Sequence, residues 1–322
     1  MIVTIIMILT DWLMVGVTKL VYSCKVAYRQ GMLFGVHVPG DAAELPEVKT
    51  MIEKYQSWMK AFYRWHFAIG TVICFLGMWY MSIFFIAWTV WMTAFFIGVM
   101  GKVWQTHRYM YELKMQKGWY EATSEEEQVT SAVDTKTAAR TAQMAVPMYI
   151  DDDYYWRNGW YSNPDDRRLF IQDRYNSMNY TMNLGRTAGK VITGITYGLL
   201  IVMMAGFCLW LLKIDFTPVR MRMTDTTVTV TSGYSNISFD RNEIEDVQLL
   251  DALPDDNFYK VNGSADGKQY LGKFKGEKTG KCQMYVKLDV TPILGIKMPE
   301  YTVFINSQEE GKAEKWYQEL KQ

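Results

Sequence analysis

Phe67-Ala-Ile-Gly-Thr-Val-Ile-Cys-Phe-Leu-Gly-Met-Trp-Tyr-Met-Ser-Ile-Phe-Phe-Ile-Ala-Trp-Thr-Val-Trp-Met-Thr-Ala-Phe-Phe-Ile-Gly-Val-Met-Gly101 decides the fold class, because these 35 consecutive residues carry no charged side chain. An apolar run of about 18 residues or more reads as a membrane span. As one helix this stretch would be roughly 52 Å long at about 1.5 Å per residue, against a bilayer core of about 30 Å. Two helices joined by a tight turn fit better. The turn is expected around Trp79–Ser82, where Trp79 and Tyr80 suit a membrane interface. Gly70, Gly77 and Gly98 would let the helices approach closely.

Working outward, Val191–Leu212 is a second charge-free run, of 22 residues, bracketed by Lys190 and Lys213. It contains Gly194-x-x-x-Gly198, a weak indication of a packing face. Ile2–Val21 is a further apolar stretch with Asp11 near its middle and no basic residue before it. A cleavable signal peptide wants a basic start and a small-residue cleavage site, so residues 1–22 are read as an uncleaved first span. The expected fold class is therefore an α-helical integral membrane protein with about four transmembrane helices, followed by a C-terminal β-rich domain.

The whole-chain averages conceal this. Lys plus Arg and Asp plus Glu both number 34, and mean hydropathy is −0.10. Zero net charge argues against nucleic acid as a partner, since phosphate neutralisation needs a basic surface. The partners expected instead are the lipid bilayer, a protein or peptide, and a second copy of the chain. Residues 23–64 carry six Lys or Arg and residues 102–190 carry twelve, whereas the turn between spans two and three carries none. By the positive-inside rule both basic segments are cytoplasmic. The protein is expected in the cell membrane as a multi-pass protein with its C-terminal domain outside, although Arg220 and Arg222 lean mildly the other way.

Within the 23–66 loop, Val48, Met51, Ile52, Tyr55, Trp58, Met59 and Phe62 recur at helical spacing, with Pro46 placed for a helix start. This helix either lies on the inner membrane face and feeds the 67–101 hairpin, or packs on protein. In the 102–190 segment, Gly101–Gly118 is expected to prolong span three. Glu121–Ala145 reads as a polar helix or linker.

After the 191–212 span, residues 215–322 change character. Val219–Met223, Thr227–Thr231 and Ile237–Phe239 alternate with period two. Val247–Leu250, Met284–Val290 and Tyr301–Ile305 look like further strands. Asn262-Gly263, Asp266-Gly267, Gly276 and Gly280 mark turns, and Glu309–Leu320 reads as a closing helix. Six or seven strands and one helix are expected.

Catalytic chemistry is poorly represented. Gly263–Lys268 and Gly276–Lys281 imitate phosphate loops but are a residue short and lack the Ser or Thr that holds Mg²⁺; they read as hairpin turns. His37, His66 and His107 form no HExxH, no GxSxG occurs, and Cys24, Cys74, Cys208 and Cys282 form no CxxC pair. No enzyme activity, cofactor, metal or catalytic residue is expected. Asp151-Asp-Asp153 and Asp165-Asp166 could supply oxygen ligands to a cation, but Arg157, Arg167, Arg168 and Arg174 are near, and ion pairs and turn caps are favoured. Asp11 is the candidate intramembrane functional residue. A carboxylate at mid-membrane is costly. Thr4, Asp11 and Thr18 share a helix face with Met7 and Met14, which should turn toward other helices. There Asp11 either binds a proton or basic partner, or is simply neutral or wet.

The residues from Asp151 to Gly185, cored by Trp156, Gly159, Tyr161, Asn163, Pro164, Asp165 and Asp166, resemble a short module of unknown function in bacterial membrane proteins. That module, here 151–187, has a W-x-x-G-x-(F/Y)-Y-x-N-P-x-D core and also occurs in relatives of the Sdp peptide-immunity family. Phe34-Gly-Val-His-Val-Pro39 is similar to an element of such proteins. Tyr270–Phe274 and Tyr301–Asn306 are similar to segments of bacterial pleckstrin-homology-like domains. The resemblance implies architecture, not activity. The role expected first is that of a non-enzymatic envelope sensing, immunity or regulatory protein that binds a protein or peptide through its C-terminal domain. The alternative is a small oligomeric transporter or ion-coupled carrier that uses Asp11.

Overall fold

The computed structural model describes residues 2–23, 28, 31–119, 152–174 and 179–321. The Glu121–Ala145 stretch, Cys24 and Asp151 lie outside the described residues. Two compact units are present: residues 1–78 with 84–204, and residues 79–83 with 205–322.

The first unit contains α1 (Ile2–Ser23), a small hairpin of β1 (Met32–Leu33) and β2 (Val36–His37), and α2 (Pro46–Cys74). A 3-10 turn over Phe75–Met78 leads to α3 (Met81–Lys117). The helix break thus falls where the interfacial aromatics placed it. Short elements follow: α4 (Asp153–Trp156), β3 (Phe170–Gln172) and β4 (Tyr180–Met182), then α5 (Thr187–Phe216), which ends in the second unit. Four helices, α1, α2 with the turn after it, α3 and α5, are long and apolar enough to cross a membrane.

The amphipathic stretch Leu45–Arg64 is not a separate helix lying on a membrane face. It is the first half of α2, begun by Pro46 at the helix start and continuing without a break into the apolar run. Its Val48, Tyr55, Met59 and Tyr63 are buried in the same core as Leu33, Phe34, Phe95 and Val99. The protein-packed alternative holds because that apolar stripe matches α3 and the β1–β2 hairpin. Phe62 lies across Gly98, where an added Cβ would come within 2.4 Å of its ring. Phe62 also stacks on Phe95 at 5.9 Å between centroids. On α5, by contrast, Gly194 and Gly198 face open space. Leu199, Leu200, Ile201, Val202 and Met203 are all more than half exposed.

The second unit holds two sheets. β5 (Arg220–Met223), β6 (Thr227–Thr231) and β7 (Asn236–Asp240) form an antiparallel meander. The larger sheet comprises β8 (Asp246–Leu250), β9 (Phe258–Ala265), β10 (Gln269–Gly276), β11 (Gly280–Lys287), β12 (Ile293–Lys297) and β13 (Thr302–Ile305). Its order is β8-β12-β13-β11-β10-β9, with only the β11–β13 pair parallel. A last helix, α6 (Lys312–Lys321), buries Ala313 and Trp316. The unit has nine described strands, not six or seven. Asn262-Gly263, expected as a turn, lies inside β9 and pairs with Lys273 and Gly272. Asp266-Gly267 and the 276–280 segment are hairpin turns, with positive φ at Gly267 and Gly280. This removes the phosphate-loop resemblance. Cys282 is 2% exposed in the sheet core, so its thiol cannot report which side of a membrane the unit occupies.

Candidate functional site

Two groups of buried polar side chains stand out in the first unit. The first surrounds Asp11. Thr4, Asp11 and Thr18 are all buried along one face of α1, while Ile5, Leu9, Leu13 and Leu20 point outward. Asp11 is fully buried. Trp88 Nε1 of α3 donates to its Oδ1 at 3.2 Å, and its Oδ2 has no hydrogen-bond partner among the described residues. Space for the carboxyl comes from α2, where a Cβ on Gly70 would sit 2.5 Å from Oδ2. One turn away on the same α2 face is His66, stacked on Trp91 at 4.3 Å. His66 Nδ1 and Trp91 Nε1 are also buried without a partner. An unpaired carboxyl oxygen in a helix bundle is an expensive arrangement. Sequence alone marked Asp11; nothing local marked His66 or Trp91, whose role depends on which helix faces meet.

The second group is centred on Asp153, fully buried at the start of α4. Lys114 Nζ donates to Oδ2 at 2.6 Å, and the His37 backbone N–H donates to the same oxygen at 3.0 Å. His37 Nδ1 lies 2.9 Å from Oδ1, and Arg174 pairs with both Asp153 and Asp152. Lys114 is 1% exposed and Arg174 8%. Burial would raise the Asp153 carboxyl, but the His37 hydrogen bond and the charges of Arg174 and Lys114 outweigh it and hold it well below the usual carboxylate range. His37, Asp152 and Asp153 bring three ligand-type atoms within 4.8 Å of one another. Two cations already neutralise those two carboxylates, so the cluster is an ion-paired knot and is poorly suited to a dication.

The knot ties the β1–β2 hairpin, α3 and the Trp-containing module together. The hairpin turns on Phe34 (φ 52°) and Gly35 (φ 75°), the positive-φ pair of a two-residue turn. That turn presents the Phe34 carbonyl to His107 Nδ1 at 2.9 Å, while His107 Nε2 meets the Trp156 carbonyl at 2.8 Å. His107 is thus a fully buried strut between two backbone segments.

In the module, Trp156 is buried and its ring lies under the Arg174 guanidinium. Gly159, at φ 93°, lets the backbone approach Trp104, whose ring would be 2.4 Å from a Cβ there. Asn163 Oδ1 accepts from the N–H of Asp165 and of Asp166, closing a turn at Pro164. Asp166 accepts from Tyr161 Oη and from the Arg168 guanidinium. The residue that organises this turn is one the sequence did not single out, Asn183. Fully buried, it accepts from Asn163 N and Gly185 N and donates to the carbonyls of Asn163, Asp166 and Arg168. The signal was present only as Asn183-Leu-Gly185, at the end of the module.

In the second unit, Asp215 is buried and accepts from the Ser82 backbone N–H at 2.8 Å, capping the first turn of α3. A Cβ on Gly233 would come within 2.1 Å of the Lys213 carbonyl, so the β6–β7 turn is pressed onto the end of α5. At the edge of the large sheet, Tyr259, Lys260, Val261 and Asn262 of β9 are all exposed. No protein-family model, curated protein or solved structure matches the chain.

Proposed function

We propose that the chain is an integral membrane protein spanning the bilayer with α1, α2, α3 and α5. In this reading it catalyses no reaction and serves as an envelope sensing, immunity or regulatory protein. The β1–β2 hairpin, the Asp153 knot and the module face the cytoplasm, following the Lys and Arg of residues 23–64 and 102–190. The C-terminal unit lies outside and takes a protein or peptide partner. Two sheets closed by α6 support a pleckstrin-homology-like reading of that unit, and the module's aromatic and Asn-Pro-Asp core supports the resemblance to bacterial membrane proteins.

The observation that carries partner binding is β9. It is an eight-residue edge strand with its central residues exposed, and such an edge can accept an extended segment as an added strand. Asp215 then provides a route inward, because a load on this unit bears on the first turn of α3 through the Ser82 cap. The test is a photo-crosslinking residue at Tyr259 in the full chain in membranes. A discrete adduct that disappears when the crosslinker is moved to buried Val303 is expected. No adduct at Tyr259 would reject binding through this edge.

One observation favours a second reading, an ion-coupled carrier. The unpartnered Asp11 Oδ2 beside Gly70 is a site where a proton could be held. Asp11→Asn would then abolish a flux that depends on the protein, and a fully active Asn variant would exclude it.

A further inference from the structure

A crevice of about 230 Å³ opens between the N-terminal half of α2 and the C-terminal half of α3. Lys54, Lys102, Gln105, Thr106 and Tyr109 are among its lining residues. We propose that it binds the phosphate headgroup of an anionic phospholipid. The proposal rests on the membrane reading above.

The charge of the crevice is one-sided. Lys54 and Lys102 have no carboxylate partner among the described residues. Glu47, at one end, is engaged by Lys117 at 2.7 Å. Lys102 Nζ is held 3.1 Å from Gln105 Oε1 and lies over the Trp58 ring at 5.6 Å from its centroid. This leaves the two ammonium groups, the Gln105 amide and the Tyr109 hydroxyl to receive phosphate oxygens. Thr106 and Tyr55 are spoken for, by the Lys102 and Tyr22 carbonyls respectively.

Depth selects a lipid over free phosphate. Lys102 is the first charged residue after the 35-residue charge-free run. It therefore stands at the level where hydrocarbon gives way to headgroups. Trp58 beside it and the exposed Tyr109 are the aromatic types enriched at that level. The crevice lies between two spanning helices on the side assigned to the cytoplasm, where basic pockets meet anionic headgroups.

The experiment is native mass spectrometry of the full chain released from mixed micelles of phosphatidylglycerol and phosphatidylcholine. Retention of one phosphatidylglycerol in preference to phosphatidylcholine is expected. At about a five-fold loss per lysine near a membrane surface, the Lys54→Gln/Lys102→Gln double variant should lose roughly 25-fold in selectivity. Lys54→Arg/Lys102→Arg should keep it, which separates lost charge from lost folding. Lys49→Gln/Lys60→Gln, on α2 but outside the crevice, should behave as wild type. Equal retention of both lipids by the wild type, or undiminished selectivity in the Gln variant, overturns the proposal. So does displacement of the lipid by millimolar inorganic phosphate. Release of the chain from membranes by alkaline carbonate would instead overturn the membrane reading itself.

Discussion

Replacing Asp153 by Asn would keep the shape of the knot and remove its only fully buried negative charge. Lys114, 1% exposed, and Arg174, 8% exposed, would then face a neutral amide. Breaking a buried ion pair from one side costs about 3–5 kcal/mol, because the remaining charge is left uncompensated. Summing each charge-assisted hydrogen bond separately would overshoot, since the contacts share one carboxylate. For a unit of this size about 1 kcal/mol corresponds to roughly 2–4 °C, so the unfolding midpoint should fall by roughly 6–20 °C. Arg168→Ala is the internal control. Its pair with Asp166 is nearly as short, at 2.8 Å against 2.6 Å for Lys114–Asp153, but Arg168 is 73% exposed, and solvent screening leaves such a pair with little effect on stability. The pH dependence has a definite sign. A carboxyl held low in the folded state stabilises at every pH above its unfolded value of about 3.9, and that contribution is lost as pH falls through the folded value. The Asp153 carboxylate's share of the difference between wild type and Asp153→Asn should therefore be lost only in acid, below about pH 4. Thermal unfolding of both variants in detergent micelles measures all of this. A midpoint for Asp153→Asn no lower than that of Arg168→Ala would refute the argument that burial makes this pair matter.

Gly70→Ala should cost about 1–3 kcal/mol by overpacking against the Asp11 carboxyl. Much of that loss should disappear when Asp11 is also replaced by Ala, and strictly additive losses in a double-mutant cycle would refute the contact. Asn183→Ala removes five hydrogen bonds from a fully buried amide. It should destabilise by about 3–5 kcal/mol and speed amide exchange at Asn163 and Gly185; unchanged exchange there would sink the assignment. Lys260→Cys, on the exposed β9 edge, should react with an impermeant thiol reagent in intact cells. Protection there, with labelling only after lysis, would invert the sidedness.

The fold was legible wherever one periodicity ruled a segment. The charge-free run and its Trp79-Tyr80 break anticipated the end of α2 and the start of α3, because lipid-compatible composition and interfacial aromatics are local properties. Leu45–Arg64 was ambiguous because an amphipathic stripe reads the same against lipid and against protein. Only the meeting of Tyr55 with Phe34, at 5.1 Å between ring centroids, decides it. β9, β10 and β12 were missed; in the first two, Asn262-Gly263, Gly272 and Gly276 are turn-type residues that lie in paired strands. A register shift between Lys273 and Phe274 accommodates them. In the module, nearby arginines correctly suggested ion pairs for the Asp cluster. Lys114 and His37, 39 and 116 residues from Asp153, were beyond local pattern. His107 showed in the sequence only as a histidine outside any HExxH motif, because its partners are carbonyl oxygens, which leave no trace in side-chain spacing.

The length of α3 has an electrical consequence. Twelve residues separate Lys102, at the end of the charge-free run, from Lys114 in the knot, or roughly 18 Å along the helix axis. The ionic atmosphere at physiological salt decays over about 8 Å. A leaflet potential of about −30 mV at the level of Lys102 would therefore have fallen to about a tenth at Lys114. A change in lipid charge would thus be felt by the crevice and not by the ion-paired knot, although both sit on one unbroken helix. In the membrane reading, the same rod that joins them mechanically would also separate them electrically.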